Sequence, residues 1–376
     1  MYADLEKALY GTLRAARLFY ETFVKKIKSM GFKLNPYDSC VANKMVDGKQ
    51  CTIIWHVDDL MVSHVSKKIV EETLDELNKE FGELAPMTIT RGNDHEYLGV
   101  NIKYLKRKVQ MSMKKYIKEM LQELPKDMDG TAATPAAKHL FEVNEECKKL
   151  PEKQAMMFHH YVAKLLFLCK RARPDIQTAV AFLSTRVKGP DEDDWKKLGR
   201  VMKYLRGTIE IVLTLSANGP VLVMKWWVDG AFAVHPDMRS HTGISMSLGE
   251  GMVYCGSLKQ KLNTRSSTEA EVVATYDALP MILWTRYFLK EQGYEISESI
   301  LFQDNMSAEL LEKNGKASSG KRTRHMNIRF FFIKDHVGKS ITIKHCPTEE
   351  MIGDFYTKPL QGSQFIKFRN LIMNSE

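Results

Sequence analysis

Four acidic residues in the second half of the chain have the types and surroundings expected of a metal site. Asp229 ends the apolar run VLVMKWWV, and Asp304 ends the run SILFQ. Glu271 lies in SSTEAEVVA and Asp354 in TEEMIGDFYTKP, two stretches with helical spacing. Strand ends and helix starts can meet at one edge of a sheet. The pattern therefore predicts four carboxylates that converge from distant parts of the sequence.

Such a cluster supports phosphodiester cleavage with divalent cations. Two metal ions about 4 Å apart can orient an attacking water and stabilise a leaving oxygen. Mg²⁺ prefers carboxylate oxygens, so four acids without His or Cys form a suitable ligand set. Taken singly, Asp229 is also explained as a strand-end residue, Asp304 as a helix N-cap and Asp354 as an exposed helix residue. Their joint order favours the metal site.

Two glutamates near the start of one helix need separate roles. The run Ser266-Ser267-Thr268-Glu269 fits a capping box, in which Glu269 folds back onto the N-cap amide. Glu271 then faces across the helix start. We therefore expect Glu271, rather than Glu269, to be the metal ligand.

The elements that must position these acids follow from hydrophobic periodicity. Strands clustered after residue 208, then alternating helices and strands, predict a mixed sheet flanked by helices. The predicted strands are IEIVLTLS, VLVMKWWV, TGISMSL, MVYCGSL, SILFQD and SITIKHC. The predicted helices cover 266–293, with Pro280 inside, and then NMSAELLEKN, NIRFFFIKDHV and TEEMIGDFYTKP. The fold class is thus mixed α/β.

The first half of the chain alternates between helical and β patterns. Helices are predicted at 4–30, 67–81, 114–124, 155–187 with a break at Arg173-Pro174, and 190–208. Hairpins are predicted at 39–57, turning at Asp47-Gly48 with a loop lengthened by Lys49-Gln50, and at 97–113. Residues 125–151 are predicted to be a linker or a tether along the surface. Three domains follow: 1–124, 125–207 and 208–376.

A second acidic pair, Asp58 and Asp59, interrupts an apolar β pattern. Adjacent acids there either form an ordinary β-turn or sit at a hairpin tip and bind something positive. Alternation would turn only one of the two toward a metal.

Composition favours a soluble, intracellular globular protein. The 376 residues are 44% hydrophobic and 27% charged, with a net charge of +9. Between Lys313 and His345 there are nine Lys or Arg and one acid, a local charge of +8 that fits either a polyanion partner or a solvated face. The six Cys have no paired spacing, which favours a reducing compartment. The N-terminus lacks the pattern of a signal peptide, and no apolar run is long enough to span a membrane.

The order of several motifs resembles the Pol polyprotein of copia-type LTR retrotransposons. WWVDGAFA, HTGISMSLG, SSTEAEVVA, FQDNMSAELL, RTRHMNIRFFFIKD and PTEEMIGDFYTKPL are similar to motifs of its RNase H domain. KALYGTLRAARLFYE, HVDD and EYLGVNI resemble palm-region motifs of its reverse transcriptase, and ARPDIQTAVAFLS and RVMKYLRGT resemble its connection region. Nearly the whole chain is covered. The resemblance implies a partial reverse-transcriptase palm and thumb, followed by an RNase H-like domain with a five-stranded mixed sheet flanked by helices.

The resemblance also implies roles for individual residues. Asp229, Glu271, Asp304 and Asp354 would hold two Mg²⁺ or Mn²⁺ ions for RNase H cleavage of RNA–DNA hybrids, while Asp58 and Asp59 match the polymerase turn. The predicted contacts to nucleic acid are Lys321, Arg322, Arg324, His325 and Arg329. Template-primer is a further expected partner, and an upstream Pol segment or a second copy of the chain could also bind. The expected location is the cytoplasm, in virus-like particles, or the nucleus.

Two departures from the family pattern affect these expectations. His56 replaces the Tyr that usually precedes VDD, and no strand before HVDD carries the third Asp of a polymerase site, so we expect no polymerase activity from this chain alone. His345 lies nine residues before Asp354, about where related domains keep a proton-carrying His. The alternative is a decayed or domesticated nucleic-acid-binding protein without catalysis.

Overall fold

The computed structural model describes residues 9, 11–83, 85–219, 222–315 and 327–375. The chain forms two compact units. Unit 1 comprises Met1–Gly92 and Trp284–Glu295, and unit 2 comprises Asn93–Leu283 and Ile296–Glu376. The division into three domains at 1–124, 125–207 and 208–376 stays a prediction.

Unit 1 contains a four-stranded antiparallel sheet in the order β1-β2-β3-β4, covered by two amphipathic helices. Its elements are α1 (Leu13–Ser29), β1 (Lys33–Asn35), β2 (Asp38–Val46), β3 (Lys49–His56), β4 (Asp59–Ser63) and α2 (Lys67–Phe81). The core of this unit contains Phe23, Ile27, Ile53, Trp55 and Leu77. These residues recur at helical spacing in the helices and at alternate positions in β3, so one face of each element is buried.

Unit 1 corrects two predictions. Helix α1 begins at Leu13, because the Thr12 side chain accepts a hydrogen bond from the N–H of Ala15 and caps the helix; the predicted residues 4–8 lie outside the described residues. The hairpin turn contains only Asp47 and Gly48, since Lys49 already pairs with Val46. Both turn residues have positive φ angles, 50° and 72°, as a tight two-residue turn requires.

Unit 2 contains two sheets. The first is antiparallel in the order β5-β6-β7-β8: β5 (Asp94–Tyr97), β6 (Val100–Leu105), β7 (Lys108–Ser112) and β8 (Leu213–Ser216). The second has the order β11-β10-β9-β12-β13: β9 (Val223–Ala231), β10 (His241–Ser247), β11 (Tyr254–Lys259), β12 (Glu298–Gln303) and β13 (Thr342–His345). Strand β12 is parallel to β9 and β13, whereas β9, β10 and β11 are antiparallel. This arrangement confirms the predicted five-stranded mixed sheet.

Eight helices belong wholly or partly to unit 2 in the described ranges. They are α3 (Lys114–Gln122), α4 (Glu152–Cys169), α5 (Gln177–Arg186), α6 (Glu192–Gly207), α7 (Ser267–Glu291), α8 (Met306–Asn314), α9 (Asn327–His336) and α10 (Gly362–Met373). The last turns of α7, from Trp284, belong to unit 1. Throughout the described ranges, the helices are too short or too polar to cross a bilayer.

Several predictions about unit 2 were wrong in detail. The run IEIVLTLS forms β8, which pairs with β7 instead of joining the five-stranded sheet. Residues 348–359 form two short 3₁₀ turns, Thr348–Glu350 and Ile352–Tyr356, instead of a helix. Helix α10 was not predicted. By contrast, residues 125–151 agree with the predicted tether along the surface: most of them are exposed, while Met128, Leu140 and Leu150 are buried in the core of unit 2.

The break before α5 is fixed by a buried ion pair. The Arg173 guanidinium donates to both carboxylate oxygens of Asp175, at 2.9 and 2.7 Å, and the Tyr204 hydroxyl donates to Asp175 at 2.6 Å. The side chains of Arg173 and Asp175 are at most 1% exposed. Because no water reaches the pair, loss of one partner would leave the other charge uncompensated.

We therefore expect Asp175→Ala to lower the free energy of unfolding of unit 2 by about 3 to 5 kcal/mol. Chemical denaturation followed by circular dichroism measures this change. The control is Glu123→Ala, which removes the exposed ion pair of Glu123 with Lys164 and should cost less than about 1 kcal/mol. Equal losses in the two variants would contradict the assigned role of the buried pair.

Candidate metal centre

Three of the four predicted acids meet at one edge of the five-stranded sheet. Asp229 lies near the end of β9, Asp304 directly follows β12, and Asp354 lies in the 3₁₀ turn Ile352–Tyr356. Their carboxylates each place an oxygen within 4.8 Å of the other two. Parallel pairing of β9 with β12 brings the ends of these strands to the same edge, so Asp229 and Asp304 are neighbours although they are far apart in sequence.

The turn that carries Asp354 approaches the sheet closely because glycine lies on both sides of the contact. Gly243 pairs with Asp229 across β9 and β10. A Cβ atom on Gly243 would lie 2.5 Å from the carbonyl oxygen of Gly353, and one on Gly353 would lie 3.0 Å from the Cβ of Asp229. Larger residues at these positions would push the turn, and with it Asp354, away from Asp229.

One cation and two hydroxyls contact the three acids. The Lys358 ammonium lies 2.6 Å from Asp354 and 3.9 Å from Asp229. The Thr357 hydroxyl donates to Asp229, and the Thr348 hydroxyl donates to Asp304 at 3.2 Å. Asp229 and Asp354 are only 2% exposed. One Lys cannot balance three carboxylates, of which two are buried and one is half-buried, so the centre favours further positive charge.

Burial and the closeness of the carboxylates to one another shift the pKa values of Asp304, Asp354 and Lys358. Burial, followed by the neighbouring Asp229 carboxylate, raises the pKa of Asp354 from 3.8 to about 7. The same two causes raise the pKa of Asp304. Burial alone would lower the pKa of Lys358, but the carboxylates of Asp229 and Asp354 outweigh it and raise the pKa. Oxygen ligands held this closely match the preference of Mg²⁺ and Mn²⁺.

Glu271, the fourth predicted ligand, lies beside this group but outside it. Its carboxylate accepts the main-chain N–H of Gly230 at 2.9 Å, and its pKa is raised well above the ordinary value by burial and then by Asp229 and Asp304. Glu269 accepts the N–H of Arg265 at 2.8 Å, and Ser266 accepts the N–H of Glu269. Glu269 therefore folds back over the start of α7, one residue earlier than a capping box requires.

Sequence reasoning missed the residues that support the centre. Thr357 and Lys358 follow Asp354 in the motif DFYTKPL, but a Lys four residues after an Asp is typical of an ordinary helical surface pair. A buried chain of hydrogen bonds also went unnoticed. His235 Nε2 lies 2.9 Å from His241 Nδ1, His241 Nε2 lies 2.7 Å from Ser257 Oγ, and Ser257 donates to the Tyr356 carbonyl at 2.7 Å. These hydrogen bonds end at Tyr356, two residues after Asp354, and so help to hold the turn that carries Asp354 in place.

The other predicted site residues lie elsewhere. Asp58 and Asp59 are exposed in the hairpin between β3 and β4 and belong to no group of three close metal-ligating residues in the described ranges. Asp58 is in the turn, whereas Asp59 pairs with His56 in the sheet. His345 ends β13 and has its Nδ1 3.9 Å from Glu309.

Of the five predicted nucleic-acid contacts, one lies within the described residues. Arg329 lies in the first turn of α9, with its guanidinium 5.2 Å from the centre of the Tyr276 ring. The other four lie outside the described residues: Lys321, Arg322, Arg324 and His325.

The order of helices and strands confirms the predicted fold class, a mixed α/β protein with a five-stranded mixed sheet flanked by helices. Residues 2–138 match the family of reverse transcriptases (RNA-dependent DNA polymerases).

The chain is similar over nearly all its length to Pol polyproteins of copia-type retrotransposons. It is 28% identical to the retrovirus-related Pol polyprotein from transposon TNT 1-94 of Nicotiana tabacum, over 99% of the chain and 28% of that protein. It is 27% identical to that from transposon RE2 of Arabidopsis thaliana, over 98% of the chain and 25% of that protein. It is 22% identical to the Ty1-BR Gag-Pol polyprotein of Saccharomyces cerevisiae, over 96% of the chain and 21% of that protein.

These matches confirm the predicted resemblance: the chain is similar over nearly its whole length to copia-type Pol polyproteins, and its residues 2–138 match the reverse-transcriptase family. The chain spans about a quarter of the length of the curated relatives that it matches.

The raised pKa of Asp354 predicts a pH-dependent effect of its replacement by Asn. Without divalent cations, the folded wild type keeps Asp354 protonated up to about pH 7, whereas the unfolded chain loses that proton near 3.8. Wild-type stability is therefore lost as the pH rises between these values. Asp354→Asn should be more stable than wild type by roughly 2 to 4 kcal/mol at pH 8, and equally stable near pH 3.

Urea denaturation in EDTA at several pH values measures this difference. Asp335→Asn, at an exposed position in α9, is the matched control and should show no such trend. Saturating Mg²⁺ should stabilise the wild type and leave Asp354→Asn nearly unchanged, because only the wild type retains the full carboxylate set. An Asp354→Asn protein that is less stable than wild type in EDTA at pH 8 would refute the crowding argument.

Proposed function

We propose that the C-terminal part of this chain is a ribonuclease H that cuts the RNA strand of RNA–DNA hybrids. The observation that carries the proposal is the convergence of Asp229, Asp304 and Asp354 within 4.8 Å at the end of parallel strands. The similarity to copia-type Pol polyproteins supports it, since such proteins include a reverse-transcriptase segment that would handle RNA and DNA together.

The carboxylates fit Mg²⁺ or Mn²⁺, with Asp229, Asp304 and Asp354 as ligands and Glu271 as the fourth, held by its bond to Gly230. Two such ions, when bound, would activate a water and stabilise the leaving oxygen of the phosphodiester. Lys358 keeps Asp354 turned toward Asp229, and the Thr357 hydroxyl holds Asp229.

Selectivity for a hybrid would rest on duplex shape and 2′-hydroxyl groups rather than on base identity. The basic segment from Lys313 to Lys344 would contact phosphates. We propose His345 as a proton carrier. It is the last residue of β13 and pairs with Gln303, the residue before Asp304, so His345 and Asp304 lie at the same edge of the sheet. The proposed setting is the cytoplasm, in virus-like particles, or the nucleus.

The cleavage assay uses a labelled RNA–DNA hybrid and the full chain with Mg²⁺ or Mn²⁺. Asp304→Asn should lower the rate by more than about 100-fold, since it removes a metal ligand rather than a supporting group. Asp335→Asn keeps the same change of charge at an exposed site and should cut like wild type. A wild-type chain that binds the hybrid but never cuts it would favour the alternative, a nucleic-acid-binding protein without catalysis.

For the N-terminal part the proposal is narrower. Asp58 and Asp59 are exposed on a hairpin and have no third converging acid in the described ranges. Two acids without a third should hold a catalytic metal weakly. We therefore expect no primer extension by the purified chain on a template-primer with all four deoxynucleotides, even though the segment belongs to a polymerase family. Extension that disappears in Asp58→Asn would overturn this expectation.

A further inference from the structure

A basic groove lies in unit 2 between α6 and the segment that precedes α4. Its volume is about 350 Å³. One wall is formed by residues 131–140, and the other by four cationic side chains of α6. These side chains are Lys196, Lys197, Arg200 and Lys203.

The cations of the groove are only partly neutralised. Lys197 pairs with Asp193 at 2.8 Å. Arg200 donates to the carbonyl and hydroxyl oxygens of Thr134, at 3.2 and 2.9 Å, both of which are uncharged groups. Within the described ranges, Lys196 and Lys203 have no carboxylate within ion-pair distance. Four cations and one acid leave a net charge of +3, so the groove is complementary to an anion.

The geometry of the groove favours an extended anion over a small one. Positions 196, 200 and 203 follow helical spacing and lie along one face of α6. The eight residues from Lys196 to Lys203, seven helical steps, extend about 10 Å along the helix axis. A nucleic-acid duplex presents about six phosphate charges over that length. A single small anion would contact only part of this row.

Hydrogen bonds of the Gln361 side chain connect the wall of the groove to the segment that carries Asp354 and Lys358. The Gln361 amide donates to the Ala136 carbonyl at 2.8 Å, and the Thr134 hydroxyl lies 3.1 Å from the Gln361 carbonyl oxygen. Gln361 follows Lys358, the cation of the metal centre, by three residues. The segment from Asp354 to Gln361 therefore has the carboxylates at one end and the wall of the groove at the other.

We propose that this groove binds the sugar–phosphate backbone of the nucleic acid whose RNA strand is cut at the carboxylate centre. The inference rests on the proposed function for the identity of that nucleic acid. Backbone phosphates would contact Lys196 and Lys203, while Arg200 and Lys197 hold the walls. Binding here carries no base specificity, since phosphates and not base edges are contacted.

The test measures binding separately from cleavage. The Asp304→Asn chain is titrated against a fluorescent RNA–DNA hybrid in EDTA at several salt concentrations. In that background, Lys196→Gln with Lys203→Gln should weaken binding about tenfold at low salt and lower the slope of log affinity against log salt by roughly two, about 0.9 per lost contact.

The matched control in the same background is Lys153→Gln with Lys188→Gln. Both lysines are exposed in unit 2 and lie outside the groove, and the net charge changes equally. Circular dichroism verifies that both variants fold. The inference is overturned if the two double variants bind the hybrid equally, or if the groove variant loses binding to phosphatidylserine vesicles or polyglutamate but not to the hybrid.

Failure of the proposed function is distinguishable from failure of this inference. A wild-type chain that does not cut the hybrid contradicts the ribonuclease assignment, yet a salt-dependent loss of binding in the groove variant alone would still support the groove. A chain that cuts the hybrid and whose groove variant binds like the control would retain the ribonuclease and lose the groove.

Discussion

Repulsion among buried carboxylates is the constraint on which the C-terminal part of this protein depends. Two unit charges about 4 Å apart repel by roughly 4 kcal/mol at the effective dielectric of a partly buried site. Carboxylate oxygens of Asp229, Asp304 and Asp354 lie within 4.8 Å of one another, and among the described residues only the Lys358 ammonium forms ion pairs with these acids. A fold of this kind is stable without metal only if the surrounding framework outweighs the repulsion. Divalent cations would then relieve an unfavourable arrangement that already exists.

Strand pairing, close packing at two glycines and buried hydrogen bonds hold the three acids in position. Asp229 is held within β9, where it pairs with Gly243 of β10, and Asp304 directly follows β12, which is parallel to β9. Asp354 is held by close packing at Gly243 and Gly353 and by the hydrogen bonds from His241 through Ser257 to the Tyr356 carbonyl. Burial lowers the pKa of His241 to about 3 and that of His235 to about 4, so both rings are neutral over the physiological pH range. The charge of this network therefore stays constant over the range in which Asp354 titrates near pH 7.

The parts of this site that were predictable depended on local signals. Asp229 and Asp304 end apolar runs, and the alternation of residues within each run predicts a strand; the number of strands in the sheet came from the family resemblance, since IEIVLTLS was a sixth candidate. Asp354 was found through its motif, but the predicted helix around it is a buried 3₁₀ turn, because contacts with β9 and β10 override helical spacing. Asp304 was also explained as a helix N-cap, whereas Asn305 caps α8. Pairing of β8 with β7, the role of Lys358 and the histidine chain depend on contacts between residues far apart in sequence, which periodicity does not encode.

The central claim is that Asp229, Asp304 and Asp354 share divalent cations. Anomalous diffraction from crystals of the full chain soaked in Mn²⁺ tests it most directly. The account predicts anomalous peaks within about 2.3 Å of carboxylate oxygens from all three residues, with Glu271 close enough to contribute. Crystals saturated with Mn²⁺ that show no peak at this edge of the sheet, or show the ion only at acids elsewhere, would contradict it.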